Sequence, residues 1–175
     1  ASTFYYDYED YQAFALTGLA AQVSNSDATI KGAEVELFLK PDQYWEFLIG
    51  ASFLSSKVDE IFDANGGKMY DNEMPNAPGY SFNYSGRYHW SGLNGQWTFQ
   101  LDGVANDSQY LEGTNGDTSK EKAYSLLNSN ISYTHHSNKW TVSLWMKNIT
   151  NTEYRIYNLD LGRLGATSFY APPRW

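Results

Sequence analysis

The chain contains 175 residues, carries a formal net charge of −8 and has no cysteine. The acidic balance argues against nucleic-acid binding, which needs a basic surface. The lack of cysteine excludes a disulfide framework, a thiolate metal site and a cysteine nucleophile within these residues. Aromatic residues make up 17% of the chain, although the mean hydropathy is only −0.56. Such a composition is typical of strands with one apolar face, and it suits the aromatic girdles of membrane barrels.

The start of the chain, ASTFYY, contains neither the basic nor the apolar region of a secretory signal, and we expect it to lie inside a strand. The longest uncharged apolar run, near residues 47–54, is shorter than the roughly 20 residues that a membrane helix needs. If the chain crosses a bilayer, it must therefore cross as strands.

Seven segments alternate between apolar and polar residues with the period of two that is typical of β-strands. In chain order they are residues 3–11, 30–39, 44–54, 80–90, 96–106, 124–135 and 140–146. Segment 80–90 is the clearest, because aromatic residues and one glycine occupy every second position from Tyr80 to Trp90.

The connections between these segments alternate in length. Residues 40–43, 91–95 and 136–139 are short turns, whereas 55–78, 107–122 and 150–167 are long, polar loops. An outer-membrane barrel has short periplasmic turns and long extracellular loops, while the loops of a soluble β-sandwich need not be sorted by length. Tryptophans flank the short turns, where one aromatic girdle is expected: Trp45, Trp90, Trp97 and Trp140. The pattern favours an antiparallel transmembrane β-barrel over a soluble sandwich or barrel.

Ionisable residues of the polar faces are expected to line the interior of such a barrel: Asp7, Glu9, Glu34, Glu36, Glu46, Arg87 and Asp102. In the first segment this assignment places Phe4, Tyr6 and Tyr8 on the opposite face. Two interpretations stay open for the charged residues: they shape a wet passage, or they form the polar wall that any wide barrel has.

The long loops supply the candidate ligand-binding residues, because such loops meet at the outer mouth of a barrel. Arginine forms bidentate hydrogen bonds with carboxylate or phosphate, and an aromatic ring offers a stacking face for a sugar or a catecholate. We therefore select Tyr110, Arg155, Tyr157 and Arg163, against the alternative that they are ordinary solvated loop residues.

Neither a metal site nor a catalytic site is predicted. The acidic residues of loop 55–78 suggest calcium, but their spacing matches no EF-hand loop, and the histidines form no zinc pattern. Ser85 and His89 lie two positions apart on one strand face, and the chain has no nucleophile elbow. The sequence therefore predicts neither an enzyme nor a cofactor.

Several short motifs follow one another along nearly the whole chain. They are Phe4-Tyr5-Tyr6-Asp7-Tyr8 with Asp10 and Gln12, Gly32-Ala33-Glu34-Val35-Glu36, Pro75 and Pro78, Lys147-Asn148-Ile149-Thr150-Asn151 followed by Tyr154, and Pro172-Pro173-Arg174. In this order and spacing the chain resembles the C-terminal part of TonB-dependent outer-membrane receptors. Ile149 and Asn151 stand where that family more often has leucine and aspartate.

This resemblance implies that residues 1–175 are part of a 22-stranded barrel in the bacterial outer membrane, with about seven strands and the start of an eighth. The plug domain and the earlier strands would then lie outside this chain, and Trp175 would be the first residue of the closing strand. A complete eight-stranded barrel is the alternative. It needs residues 168–175 to pair with the first strand, and two adjacent prolines disfavour that pairing.

The resemblance also implies energy-coupled uptake of a bulky nutrient, with a ferric siderophore as the first choice and an oligosaccharide or cobalamin as alternatives. The implied partners are the TonB coupler, reached through the plug, the transported ligand, and the lipid and lipopolysaccharide of the outer membrane. A passive porin or a small structural barrel is the alternative from another class of function.

Overall fold

The computed structural model describes residues 1–17, 20–63 and 65–175, which form antiparallel β-structure almost throughout. In chain order the strands are β1 (Ser2–Thr17), β2 (Ala20–Leu39), β3 (Trp45–Phe62), β4 (Lys68–Asn72), β5 (Tyr80–Gly92), β6 (Gly95–Asn106), β7 (Gln109–Tyr110), β8 (Lys120–Glu121), β9 (Tyr124–His135), β10 (Thr141–Met146), β11 (Arg155–Asp160) and β12 (Ala166–Tyr170). Two short 3-10 helices, Asp117–Ser119 and Gly162–Leu164, lie in the connections. No helix among the described residues is long and apolar enough to cross a bilayer.

One continuous sheet forms the wall. Its order is β1-β2-β3-β5-β6-β9-β10, so each wall strand pairs with the wall strand before it, and β4 pairs with β3. The seven predicted segments all become wall strands. Within the described part of the chain β1 and β10 do not pair with each other, so the sheet is open. The structure therefore confirms the predicted all-β portion of a barrel.

Three strands continue beyond the predicted segments, and one of them enters a predicted loop. β1 and β2 extend as a tall hairpin to Thr17 and Ala20, and β3 runs on to Phe62. The prediction of a loop over residues 55–78 is therefore wrong in its first part, where β3 pairs with β2 as far as Val58 and then with β4. The apolar alternation fades there because these extensions rise above the wall, outside the part of the sheet that is predicted to face lipid.

The register assigns the wall residues to two faces, because directly opposed residues in an antiparallel pair share a face. The polar face carries rows such as Ser85, Asp102 and Asn128, which lie side by side on β5, β6 and β9. The apolar face carries rows such as Leu37, Ile49, Tyr84, Gly103 and Leu127. Five predicted wall residues are confirmed on the polar face: Glu34, Glu36, Glu46, Arg87 and Asp102.

The same register overturns the predicted faces of β1. Asp7 pairs with Thr29, on the side of the sheet that carries the apolar face. Glu9 lies in the bulge of β1 that follows Tyr8. The polar face carries the aromatic residues of this strand instead: Phe4, Tyr6 and Tyr8. The prediction is wrong because aromatic residues occupy both alternating sets in β1, so that only the pairing with β2 decides which set faces which way.

A belt of aromatic rings crosses the sheet next to the short turns. Successive ring centroids lie between 4.6 and 5.7 Å apart along the series Trp45, Tyr88, Trp90, Trp97, Tyr133 and Trp140. Trp90 and Trp97 face each other across β5 and β6 with an interplanar angle of 8°. All four tryptophans of the predicted girdle belong to this belt, as expected for rings at a membrane interface.

Leu37 tests the assignment of the two faces. Its partner Ile49 lies midway between Trp45 in the aromatic belt and Phe53 near the outer end of the wall. We expect Leu37→Arg to destabilise the whole barrel in lipid vesicles by about 2–4 kcal/mol, because an arginine there would face the bilayer midplane. Urea titration of the refolded barrel measures the loss. Ser52→Arg, on the polar face, is the matched control, and an equal loss for both variants would contradict the assignment.

Candidate functional site

All the long connections leave the wall at the edge opposite to the aromatic belt, because successive wall strands run in opposite directions. We call residues 65–79, 107–123 and 147–175 the first, second and third mouth connections. The paired strands of the β1–β2 hairpin extend beyond the same edge as far as Thr17 and Ala20. The structure thus gathers three polar connections and the β1–β2 hairpin, far apart in the sequence, at one end of the sheet.

The third mouth connection contains a hairpin, where the sequence predicts a plain loop. β11 pairs with β12 from Arg155 opposite Tyr170 to Asp160 opposite Ala166. After this hairpin the chain returns to the wall, where the Lys147 N–H donates to the Trp175 carbonyl at 2.7 Å. Trp175 therefore lies beside the end of β10, at the place of the next wall strand.

Two of the motifs that carry the resemblance dock on each other at the start of this connection. In the motif of residues 147–151, Asn148 is buried with a positive φ of 51°. Its side chain accepts the N–H of Thr152 and donates to the Thr152 carbonyl, each at 2.9 Å. Asn151 Oδ1 accepts the N–H of Arg174 at 3.3 Å. The prolines before Arg174 thus lead the chain back onto a turn that the asparagines close.

Asparagine side chains tie the first mouth connection to the second. Asn72 Nδ2 donates to the Gly113 carbonyl at 2.8 Å. The Glu73 N–H donates to Asn115 Oδ1 at 2.6 Å, and Asn115 Nδ2 donates back to the Glu73 carbonyl at 2.9 Å. This reciprocal pairing gives hydrogen-bond partners to polar groups that would otherwise lack them where the two connections pack together.

Arg155 ties the third mouth connection to the second. Its Nε lies 2.6 Å from Glu121 Oε2, its Nη1 donates to the Thr118 carbonyl at 2.7 Å, and its Nη2 donates to the Lys120 carbonyl. The side chains of Arg155 and Glu121 are only 17% and 10% exposed. A planar guanidinium suits this role because its donors spread in a fixed fork.

A cavity of about 190 Å³ lies between the β1–β2 hairpin, β3 and the second and third mouth connections. Much of its lining is apolar and aromatic: Tyr11, Phe14, Val58, Ile61, Leu111 and Tyr157. Glu112 and Asp160 add two carboxyl groups to the lining. The cavity rests on a small buried cluster of Ala13, Ala28, Val58, Ile61 and Met74, which anchors the connections to the tall strands.

Glu112 joins two sides of the cavity. Its Oε1 accepts the N–H of Asp160 at 2.8 Å, so the carboxyl links the second connection to the third. Burial raises the pKa of Glu112 above its ordinary value, and the charge of Asp160 acts in the same direction, while hydrogen bonds from Asp160 and Asn158 oppose the shift. The cavity thus holds an acid that the fold favours in its neutral form.

Below the mouth, the polar face is hydrogen-bonded within itself. Arg87 lies 3.9 Å from Glu46 and donates from Nε to Gln100 at 2.7 Å. Asp102 accepts from Gln100 at 2.8 Å and from Asn128 at 2.9 Å. The series crosses four neighbouring wall strands. It favours the interpretation that these charged residues form a polar wall.

Of the selected tyrosines, Tyr157 lines the cavity and is 49% exposed. Tyr110 lies where the first and second connections meet. Its carbonyl accepts the Asn76 N–H at 2.8 Å, and its ring centroid is 5.3 Å from the Lys120 ammonium. The structure thus brings Tyr157 to the cavity and gives Tyr110 contacts within the connections.

The selected arginines differ in their surroundings. The guanidinium of Arg155 is engaged by the second connection, whereas Arg163 is exposed in the short helix Gly162–Leu164. The four residues therefore do not converge on one point, and their role in ligand binding stays a prediction.

The cavity also uses residues that the sequence did not select. Tyr11 is the last residue of the predicted first segment, and Phe14 reaches the cavity because β1 continues past the end of that segment. Glu112 lies inside the predicted loop 107–122, but only its packing against Asp160 distinguishes it from other loop acids. In the sequence, only the aromatic character of Tyr11 and Phe14 could have indicated their place in the cavity lining, and this is a weak signal.

Three acidic residues near the outer end of β3 and in β4 are paired with lysines. Lys57 lies 3.1 Å from Asp59 and 2.8 Å from Asp71, and Lys68 lies 2.8 Å from Glu60. Across residues 1–17, 20–63 and 65–175, the structure has no group of three or more acids or histidines placed to hold a metal ion.

Comparison with known proteins identifies the family. Residues 1–149 match the family model described as TonB dependent receptor-like, beta-barrel. The chain belongs to the TonB-dependent receptor β-barrel family. No curated protein sequence matches it significantly.

Members of this family are outer-membrane barrels, and the interior of such barrels is polar. The polar face of this chain is therefore the one that lines the barrel interior.

Solved structures share the fold. The ferric yersiniabactin uptake receptor FyuA from Yersinia pestis matches 98% of this chain with a TM-score of 0.81 and 21% identity. The siderophore receptor PiuA from Acinetobacter baumannii matches 96% with a TM-score of 0.65 and 18% identity. The ferric preacinetobactin receptor BauA, also from A. baumannii, matches 98% with a TM-score of 0.63 and 16% identity. The chain spans about a quarter of each receptor, from 24 to 25% of its length.

Removing Arg155 should detach the second mouth connection from the third. Loss of one partner of a largely buried ion pair commonly costs about 3–5 kcal/mol, because the other charge is left unpaired. We expect Arg155→Ala to raise the rate of limited proteolysis within residues 107–123 of the whole receptor by at least about tenfold. Arg163→Ala, an exposed arginine of the same connection, is the control. Equal proteolysis of both variants would contradict the role of Arg155.

The Glu112 carboxyl should make the cavity region sensitive to pH. Because its folded pKa is raised, its contribution to stability is present below the unfolded value of about 4.3 and is lost as the pH rises through the folded pKa. We expect hydrogen-exchange protection factors in β7, β8 and β11 to fall between pH 4 and neutral pH. Glu112→Gln keeps the acceptor for Asp160 and should flatten this dependence, whereas Glu153→Gln, at an exposed position, should not. A dependence unchanged in Glu112→Gln would refute the assignment.

Proposed function

We propose that residues 1–175 are the C-terminal part of the barrel of an energy-coupled receptor in the bacterial outer membrane, which takes up a ferric siderophore. The plug domain and the earlier strands belong to the same receptor outside these residues. The observation that carries the proposal is the match of residues 1–149 to the receptor barrel family.

Three features support the choice of ligand and partners. The structurally similar proteins FyuA, PiuA and BauA are described as receptors for siderophores or ferric siderophore complexes. The mouth cavity offers aromatic and apolar lining with two carboxyl groups. The hydrogen-bonded polar face suits contact with the plug, through which the TonB coupler would act, and the apolar face suits lipid and lipopolysaccharide.

In this function the three mouth connections act as one unit. Asn115 and Arg155 join them, so that a ligand entering the cavity contacts parts of the chain that are mutually positioned. Preorganisation of this kind raises affinity because less conformational freedom is lost on binding. The chain supplies binding and positioning here, and no bond of the ligand has to be broken.

Uptake by cells tests the proposal. The whole receptor, expressed in a strain that lacks its own siderophore receptors, should accumulate iron-55 from at least one ferric siderophore. Deleting the TonB coupler should abolish this accumulation, since the energy source is lost. Cobalamin and oligosaccharides serve as comparison ligands in the same cells.

Two results would contradict the proposal. Accumulation of cobalamin or oligosaccharide without any ferric complex would assign the receptor to another ligand. A steady ion conductance of the purified protein in planar bilayers without the coupler would identify a passive porin.

A further inference from the structure

Three aromatic rings form a ladder on the polar face of β1. The ring centroids of Phe4 and Tyr6 are 5.6 Å apart, and those of Tyr6 and Tyr8 are 6.1 Å apart. Tyr6 and Tyr8 are 51% and 41% exposed. On the polar face of a wall built largely from hydroxyl, amide and charged side chains, such a series of exposed rings stands out.

The ladder begins at the outer rim of the wall. Phe4 pairs with Gly32, which pairs with Leu54, and the Leu54 N–H donates to the Gly79 carbonyl just before β5 begins. From Phe4 onward the strand therefore rises above the level at which β5 begins. The rings lie between the wall and the mouth connections.

The ladder leads towards the mouth cavity. After the bulge, Tyr11 pairs with Ser26, two residues before the Ala28 that pairs with Tyr8, so Tyr11 shares the same face. Tyr11 also lines the cavity. At about 3.3 Å per residue, the path from Phe4 to the cavity is about 20 Å long.

Small residues of β2 lie opposite two of the three rings, Phe4 and Tyr8. A Cβ atom on Gly32 would lie 2.6 Å from the Phe4 ring and would overlap the Phe53 carbonyl oxygen, so the ring occupies the space above the glycine. Ala28, opposite Tyr8, is buried. The partners in β2 thus let large rings stand side by side.

We propose that Phe4, Tyr6 and Tyr8 form a stacking path for an aromatic ring of the transported ligand, between the mouth cavity and the barrel interior. The inference rests on the proposed function and narrows its ligand to ferric siderophores that carry aromatic rings. Aromatic rings attract one another in offset or edge-to-face pairs at centroid distances of 4.5–7 Å. A ligand ring that leaves one step of the ladder can therefore reach the next without crossing a gap.

The ladder suits a small ligand with flat rings for two reasons. Its steps have the spacing of single rings, and Tyr11, on the same face of β1 after the bulge, lines the cavity to which the ladder leads. The ladder contains no charged side chain. It would therefore recognise the aromatic ring of the ligand and not the charge of the ferric complex.

The test measures binding and uptake of two ferric complexes by the whole receptor: a tris-catecholate siderophore, which carries rings, and a linear aliphatic tris-hydroxamate, which carries none. In the double variant Tyr6→Leu with Tyr8→Leu, the dissociation constant for the catecholate should rise at least about fivefold. The dissociation constant for the hydroxamate, where it binds, should stay within twofold.

Tyr5→Leu changes an exposed ring on the opposite face of β1 and should leave both dissociation constants unchanged. Tyr8→Phe keeps the ring and should retain affinity, which separates stacking from loss of folding.

The outcomes are distinct. An unchanged affinity for a catecholate that is still taken up, or an equal loss for both complexes, overturns the stacking path alone, and the rings then pack against another part of the receptor. Uptake of the hydroxamate only also overturns the path while leaving the proposed function in place. No uptake of any ferric complex overturns the proposed function and this inference together.

Discussion

The unbroken antiparallel pairing from β1 to β10 is the constraint on which the rest of this structure depends. In a bilayer every backbone N–H and C=O must find a partner inside the protein, and a sheet can provide this only through its neighbouring strands. The same pairing fixes the register, and the register decides which residues meet lipid and which meet the barrel interior. It also sends all the long connections to one edge, because each wall strand reverses the direction of the one before it.

The mouth connections show a second level of organisation. They are polar and far apart in the sequence, yet they are held together by specific contacts: the asparagine pairs between the first and second connections and the Arg155–Glu121 ion pair between the second and third. A small apolar cluster around Val58 and Ile61 joins them to the tall strands. The cavity exists because these contacts close it on several sides.

Much of the wall can be predicted from alternation alone. All seven strands follow the period of two, and the tryptophans beside the short turns mark the aromatic belt. The prediction fails at β1, where aromatic residues occupy both alternating sets and Asp7 was assigned to the wrong face. It also fails above the wall, because β3 and the β1–β2 hairpin continue through residues that lose the apolar alternation once they no longer meet lipid.

The candidate site was predictable only in outline. The sequence indicates that the long loops lie together, and Tyr157 does reach the cavity. It could not show that Arg155 is engaged by the second connection or that Tyr11 and Phe14 complete the lining. The sequence alone determined the class of fold, because alternation and loop length are local properties of the chain. The tertiary structure alone decided the face of β1, the partners of Arg155 and the cavity, because each depends on contacts between segments separated by many residues, which no local pattern encodes.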